Sequence, residues 1–155
     1  MKGMTTIVKT VSGWVKILIF LFGIYIVLFG HLTPGGGFAG GVILASSYVL
    51  IMLAFGREEV ESYIPMKLAS KIDCLGALMF IAIALFGFFY GAASFFWNYV
   101  QNTIYATKQN TFDLLSAGTI PLSNIAIGLK VGASLFLVIF ILSIYRPNIS
   151  QKNEE

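Results

Sequence analysis

Four long apolar runs, separated by short polar or glycine-rich connections, dominate the pattern of hydrophobic positions along this chain. A helix needs roughly 20 mostly apolar residues to cross the hydrocarbon core of a bilayer. Helix is also the conformation in which a single span satisfies its own backbone polar groups. The sequence therefore predicts an all-α integral membrane protein, a single four-helix domain over residues 1–155, with spans at about 13–29, 34–55, 72–95 and 122–145.

Basic residues are distributed unevenly between the two ends of the predicted helices. Cytoplasmic loops of membrane proteins carry an excess of lysine and arginine. Of the 10 basic residues, only Lys108 and Lys130 are assigned to one side. The other eight are assigned to the opposite side, and they are Lys2, Lys9, Lys16, Arg57, Lys67, Lys71, Arg146 and Lys152. This asymmetry predicts that both termini lie in the cytoplasm (N-in/C-in) and that the first and third connections face outward.

The composition agrees with a lipid environment and argues against several function classes. Hydrophobic residues make up 57% of the chain and charged residues 11%, whereas a soluble domain is typically about 25% charged. The net charge of +3 is not concentrated on one polar face, so no nucleic-acid partner is expected. With Cys74 as its single cysteine, the chain forms no internal disulfide. Since no nucleophile–base pair, phosphate loop or metal-ligand motif is apparent, we expect no catalytic residue, metal or cofactor.

The most distinctive segment is the connection between the first two helices, Gly30–Gly41, here called the glycine corner. It holds 6 of the chain's 16 glycines, and glycines spaced four apart let helices approach closely in lipid. Pro34 is expected at the first helical position with Thr33 as its N-cap. Ordinary packing explains any single glycine pair, but the same spacing recurs on the third and fourth helices, which favours a chain packed against other subunits. The residues predicted to mediate packing and assembly are Pro34, Gly35, Gly36, Gly37, Phe38, Gly40, Gly41, Gly128 and Gly132.

Two isolated side chains are candidates for an ion path. His31 is the only histidine, and histidine readily gains or loses a proton near neutral pH. Lys130 lies about 12 Å inside the predicted fourth helix at 1.5 Å per residue. An ammonium at that depth is costly unless it is paired, hydrated or extended to the interface. The plain alternatives are an interfacial hydrogen bond for His31 and snorkelling for Lys130.

Acidic residues are expected at helix ends only. Asp73, at the start of the predicted third span, is interpreted as a first-turn partner of the helix dipole, and no carboxylate is predicted in the middle of a span. A cation carrier normally needs a buried carboxylate or a ring of oxygens. The single chain is therefore predicted to be neither an enzyme nor a complete transporter, with an autonomous homo-oligomeric transporter as the less favoured alternative.

The glycine corner also carries a family resemblance. The pattern Gly-His-x-x-Pro-Gly-Gly-Gly-Phe-x-Gly-Gly is complete over Gly30–Gly41, and Ile125–Gly132 looks like the last-helix segment of the same family. Over about Val11 to Tyr145 the chain resembles the MnhB/MrpB family, the B-type subunits of multisubunit sodium/proton antiporters. The resemblance implies a non-catalytic subunit in the plasma membrane of a prokaryote. Its expected partners are other Mrp-type membrane subunits in a hetero-oligomer, the lipid bilayer, and Na+ and H+ as the transported ions of the complex.

Two further possibilities stay open. Subunits of this type also occur in the membrane arms of membrane-bound hydrogenases and sulfur-reducing respiratory complexes, so the resemblance implies that setting as well. The other possibility is a purely structural packing subunit. We hypothesise that His31 and Lys130 line or electrostatically shape an ion path shared with larger subunits, whereas a purely structural subunit would tolerate changes at both.

Overall fold

The computed structural model describes residues 4–89, 94–100 and 113–144. Its helices are α1 (Thr6–Leu28), α2 (Gly36–Phe55), α3 (Arg57–Tyr63), α4 (Met66–Phe89) and α5 (Ile120–Ile144). All but the short α3 are long and apolar enough to cross a membrane. This confirms the predicted all-α fold with four membrane-spanning helices.

The helix ends differ from the predicted bounds, most of all in α4. This helix was expected at about 72–95 but runs from Met66 to Phe89. The carbonyl of Pro65 accepts hydrogen bonds from the N–H groups of Leu68 and Ala69 at 2.9 and 3.2 Å, which starts the helix there. Because residues 66–71 include several polar side chains, the hydropathy pattern did not indicate that the helix begins there. Likewise, α1 begins at Thr6, well before the predicted start at about 13.

Helices α2 and α5 pack against each other at the centre of the molecule. Helix α1 flanks α2 and also touches α5, while α4 packs along α5 on the other side. Large apolar side chains cover the outside, for example Leu18, Leu78 and Leu142, which are 69%, 65% and 65% exposed. In a membrane such side chains face lipid tails or the helices of other subunits.

A compact apolar cluster closes one end of the bundle. Helix α3 places Val60 in it with only 1% of its surface exposed, while Glu58 and Glu59 of the same helix remain exposed. Val60 packs with Phe136 and Phe140 of α5 in this cluster. The connection between α2 and α4 is therefore an amphipathic helix seated on the membrane helices, and it fixes how the two spans leave this end of the bundle.

Candidate functional site

The turn in the glycine corner is longer than the sequence predicted, and α2 begins only at Gly36. Gly35 is the N-cap residue, with a left-handed φ of 90°, and Gly36 follows with a φ of 50°. Thr33 donates its hydroxyl to the carbonyl of Phe29 at 3.3 Å, and its side chain makes no cap hydrogen bond with α2. The expectation that Pro34 occupies the first helical position under a Thr33 cap is wrong. Consecutive glycines adopt positive φ without steric cost, so the turn extends past Pro34.

The missing cap is supplied by the last helix. The side-chain oxygen of Asn124 on α5 accepts a hydrogen bond from the backbone N–H of Gly37 at 3.2 Å. The first N–H groups of a helix have no partner within the helix, and glycine has no side chain to offer one. Asn124 is only 8% exposed, and its Nδ2 is buried without a partner among the described residues. One carboxamide from α5 therefore holds the start of α2.

The glycines of α2 face two different neighbours. A Cβ on Gly37 would overlap the backbone of Asn124, whose Cα would be 2.8 Å away, and a Cβ on Gly41 would lie 2.8 Å from the carbonyl oxygen of Gly128. Gly40 points the other way, toward α1. These contacts all lie within the chain. The regularly spaced glycines therefore pack against helices of the same chain. Their spacing does not by itself indicate a contact with a partner subunit.

The remaining residues predicted to mediate packing divide into two groups. On α5, a Cβ on Gly128 would lie 2.7 Å from Cγ2 of Val27, and one on Gly132 would lie 3.4 Å from the carbonyl of Gly41. Both glycines therefore serve the contact of α5 with α1 and α2. The exposed members are Pro34, Gly35 and Phe38. Since they lie on the outside of the glycine corner, they are open to lipid or to another subunit.

His31 lies in the glycine corner and contacts the segment before α5. Its Nε2 is 3.0 Å from the hydroxyl of Ser116. Its Nδ1 is buried, and no described residue provides a hydrogen-bond partner for it. The imidazole therefore links the glycine corner to the segment before α5.

Lys130 is paired within the chain. Its Nζ lies 2.6 Å from Oδ1 of Asp73 on α4 and 3.4 Å from the hydroxyl of Ser134, one turn along α5. The Ser134 hydroxyl in turn donates to the same Asp73 oxygen. A carboxylate beside an ammonium makes a pair without net charge, which lowers the cost of placing either group in a membrane.

The pair lies well inside the membrane helices. Asp73 is about 10 Å beyond the first residue of α4, and Lys130 about 15 Å beyond the first residue of α5, at 1.5 Å per residue. The interpretation of Asp73 as a first-turn dipole partner is therefore wrong, because α4 begins at Met66. Asp73 is the eighth residue of α4, so the carboxylate that pairs with Lys130 lies in the first third of this helix.

The two residues predicted to line an ion path have different partners in the structure. His31 faces Ser116, and Lys130 faces Asp73 and Ser134. Sequence reasoning missed Asn124, although a carboxamide in an apolar helix is itself a signal of interhelical hydrogen bonding. It also missed the Asp73–Lys130 pair, for which two opposite charges in neighbouring spans were the available signal.

These features define a multi-pass membrane protein that is held together by glycine packing and a few interhelical polar contacts. Residues 7–137 match the family described as a domain related to the MnhB subunit of the Na+/H+ antiporter. The chain belongs to this family, as its resemblance predicted.

Similar proteins come from both bacteria and archaea. An uncharacterized protein of Methanocaldococcus jannaschii is 35% identical over 97% of this chain and 58% of its own length. A Staphylococcus epidermidis protein named as antiporter subunit mnhB2 is 34% identical over 74% of this chain and 75% of its own. A chain of the membrane-bound sulfane sulfur reductase, an archaeal respiratory membrane complex, superposes with a TM-score of 0.73 and 28% identity, over 91% of this chain and 61% of that one. The chain thus spans about three fifths of the archaeal proteins that it matches.

Proposed function

We propose that the protein is a non-catalytic membrane subunit of a multisubunit module that exchanges Na+ for H+. The observation that carries this proposal is the family match over residues 7–137, together with the mnhB2 relative, which aligns over about three quarters of both chains. In the described residues, no group of three or more His, Cys, Asp or Glu side chains is placed to hold a metal ion. In this proposal the chain's contribution is structural and electrostatic, and ion transport depends on larger partner subunits of the Mrp type.

The packing supports a scaffold role in such a module. Close contacts at Gly37, Gly41 and Gly128 hold the glycine corner against α5, so the membrane helices form one unit that a larger assembly can use. Lys130 acts with Asp73 as one paired element, whose dipole shapes the electrostatics of an ion path shared with neighbours. His31 contributes an imidazole at the glycine corner, and its buried Nδ1 can form one hydrogen bond with a water or a partner group.

The charge distribution supports an N-in/C-in orientation in the membrane. Lys9 of α1 has its ammonium over the ring of Phe55, so it lies on the same side of the bundle as Arg57 of α3 and Lys67 of α4. An excess of basic residues marks the cytoplasmic side. In this orientation the glycine corner and His31 lie at the outer side of the membrane.

A second setting has its own supporting observation. The superposition on a chain of the sulfane sulfur reductase favours the same subunit role in the membrane arm of a respiratory complex, of sulfur-reducing or hydrogenase type. A purely structural subunit is the third candidate. Its support is that Gly37, His31 and Lys130 all have contacts within the chain itself.

Mass spectrometry of the native complex, purified through a tag on this chain, tests the proposal. Co-purification of antiporter-type membrane subunits alone supports the Na+/H+ module. Additional subunits that carry nickel or iron–sulfur clusters support the respiratory setting. Recovery of the chain alone, with ion transport in liposomes, would contradict the subunit role and support an autonomous transporter.

A further inference from the structure

The Asp73–Lys130 pair lies at the surface of the four-helix unit. The side chain of Lys130 is 43% exposed and that of Asp73 is 23% exposed. Residues four apart share one face of a helix, so the pair belongs to a strip that continues into strongly exposed apolar positions on both helices. We call this strip the ion-pair face. It consists of Asp73, Ala77 and Ile81 on α4 and Lys130, Ser134 and Val138 on α5.

The pair is not saturated by its own chain. The Lys130 ammonium has three donors, and its described partners are Asp73 Oδ1 and the Ser134 hydroxyl. Both described hydrogen bonds to Asp73 go to Oδ1, so within the described part of the chain Oδ2 accepts none. In the hydrocarbon region of a membrane, lipid tails offer no hydrogen-bonding group.

The surroundings of the pair suit a packed helix better than lipid. Ala77 is one turn from Asp73, and a small residue there lets a neighbouring backbone approach. Ile81 and Val138 are 57% and 53% exposed and extend the apolar surface on either side of the pair. A polar centre flanked by apolar contacts is typical of a helix–helix interface in a membrane.

We propose that a transmembrane helix of another subunit covers the ion-pair face and places a carboxamide or hydroxyl side chain against the pair. Such a group both accepts a hydrogen bond from Lys130 and donates one to Asp73 Oδ2. A third charged group does not fit, because the pair is already neutral and the extra charge would be left without a partner in the membrane. This inference rests on the proposed function, since it takes the chain to be one subunit among several.

Photo-cross-linking in the native complex tests which molecule covers the face. Cys74 is the only cysteine of the chain, is exposed, and directly follows Asp73 on α4. Benzophenone maleimide on Cys74 is expected to cross-link to a membrane-spanning peptide of a different polypeptide, with Asn, Gln, Ser or Thr within one turn of the linked residue. The matched control replaces Cys74→Ser and adds Leu18→Cys, at a position of α1 that is also strongly exposed but lies on another face of the bundle. It should not cross-link to that same peptide.

Three results would overturn the proposal. They are cross-linking of Cys74 only to lipid, cross-linking to a second copy of this chain, and modification of Cys74 in the assembled complex by a membrane-impermeant thiol reagent. The last result would show that water covers the pair. In each case the unmodified chain still co-purifies with its partner subunits, so failure of this inference is distinguishable from failure of the proposed function.

A paired replacement measures the contribution of the polar centre. Replacing Asp73→Leu together with Lys130→Met removes the polar groups and leaves no unpaired charge within the chain, so the four-helix unit should still fold. The covering subunit would lose its hydrogen bonds, and we expect it to be retained roughly tenfold less tightly in detergent. The exchange Asp73→Lys with Lys130→Asp keeps the polar centre and should retain the subunit better. Equal retention of the covering subunit by the apolar double variant and the unmodified chain would contradict the proposal.

Discussion

Asn124 and Gly37 are 87 positions apart in the sequence, yet a 3.2 Å hydrogen bond from the Gly37 N–H to the Asn124 side-chain oxygen joins the last helix to the start of α2. A helix start is usually capped by the residue just before it. Here that residue is Gly35, which has no side chain and adopts a left-handed conformation. The cap therefore comes from tertiary structure, and the glycine corner forms correctly only when α5 is in place.

Removal of this cap should destabilise the protein. Asn124→Ala deletes the oxygen that binds the Gly37 N–H, and loss of an N-cap costs about 0.5–2 kcal/mol. Asn124→Asp keeps an acceptor oxygen at the same place but buries a carboxylate without a counter-charge, so it should restore only part of that free energy. Thermal unfolding of the purified complex in detergent measures both. If Asn124→Ala unfolds at the same temperature as the unmodified protein, the cap has no energetic role.

A side chain introduced at a glycine position should disrupt folding most where the least space is available for it. Gly37→Leu is expected to prevent assembly, because even a Cβ at Gly37 would overlap the backbone of Asn124, and backbone shifts of that kind typically cost about 1–3 kcal/mol or more. Gly13→Ala is the matched control, since a Cβ at Gly13 meets nothing within 4 Å. The yield of intact complex from membranes distinguishes the two. Normal assembly with Gly37→Leu would refute the close contact with α5.

The four membrane-spanning helices could be predicted from the sequence because they follow from local hydrophobicity. Each long apolar run contains that information within its own segment. The start of α4 could not be placed, because Lys67, Ser70 and Lys71 are polar and yet helical. Their helical conformation depends on the turn at Pro65 and on Ala69 entering the apolar cluster with α3, and neither is visible in a hydropathy pattern.

Single residues of the candidate site could be predicted from the sequence, but the contacts between them could not. Lys130 was recognisable as an anomaly, since an ammonium in an apolar run needs an explanation. Its partner was not, because Asp73 appeared to lie at a helix end until α4 was seen to begin at Met66. Asn124 was missed for a similar reason. The need for a cap from elsewhere arises only once the glycine turn delays the start of α2 to Gly36.

The contact between Asp73 and Lys130 should appear as an energetic coupling between the two positions. Lys130→Met alone leaves an unpaired carboxylate, and Asp73→Leu alone leaves an unpaired ammonium, so each should destabilise more than the double variant does. For side chains in direct contact, the coupling is about 0.5–3 kcal/mol in a double-mutant cycle. Unfolding of the four variants in detergent gives this quantity. Strictly additive effects would mean that the 2.6 Å contact contributes nothing.

Variants at His31 should separate its hydrogen bond from its charge. His31→Gln can still bond to the Ser116 hydroxyl, so the complex should assemble normally, whereas His31→Ala loses the contact seen at 3.0 Å and should lower the yield of complex. Glutamine has no ionisable group, whereas an imidazole can take up a proton. If His31 shapes the ion path of the proposed Na+/H+ module, the pH dependence of ion exchange in membrane vesicles should differ between His31→Gln and the unmodified chain. An unchanged pH profile at normal assembly would leave His31 with the structural role alone, as the bridge between the glycine corner and the segment before α5.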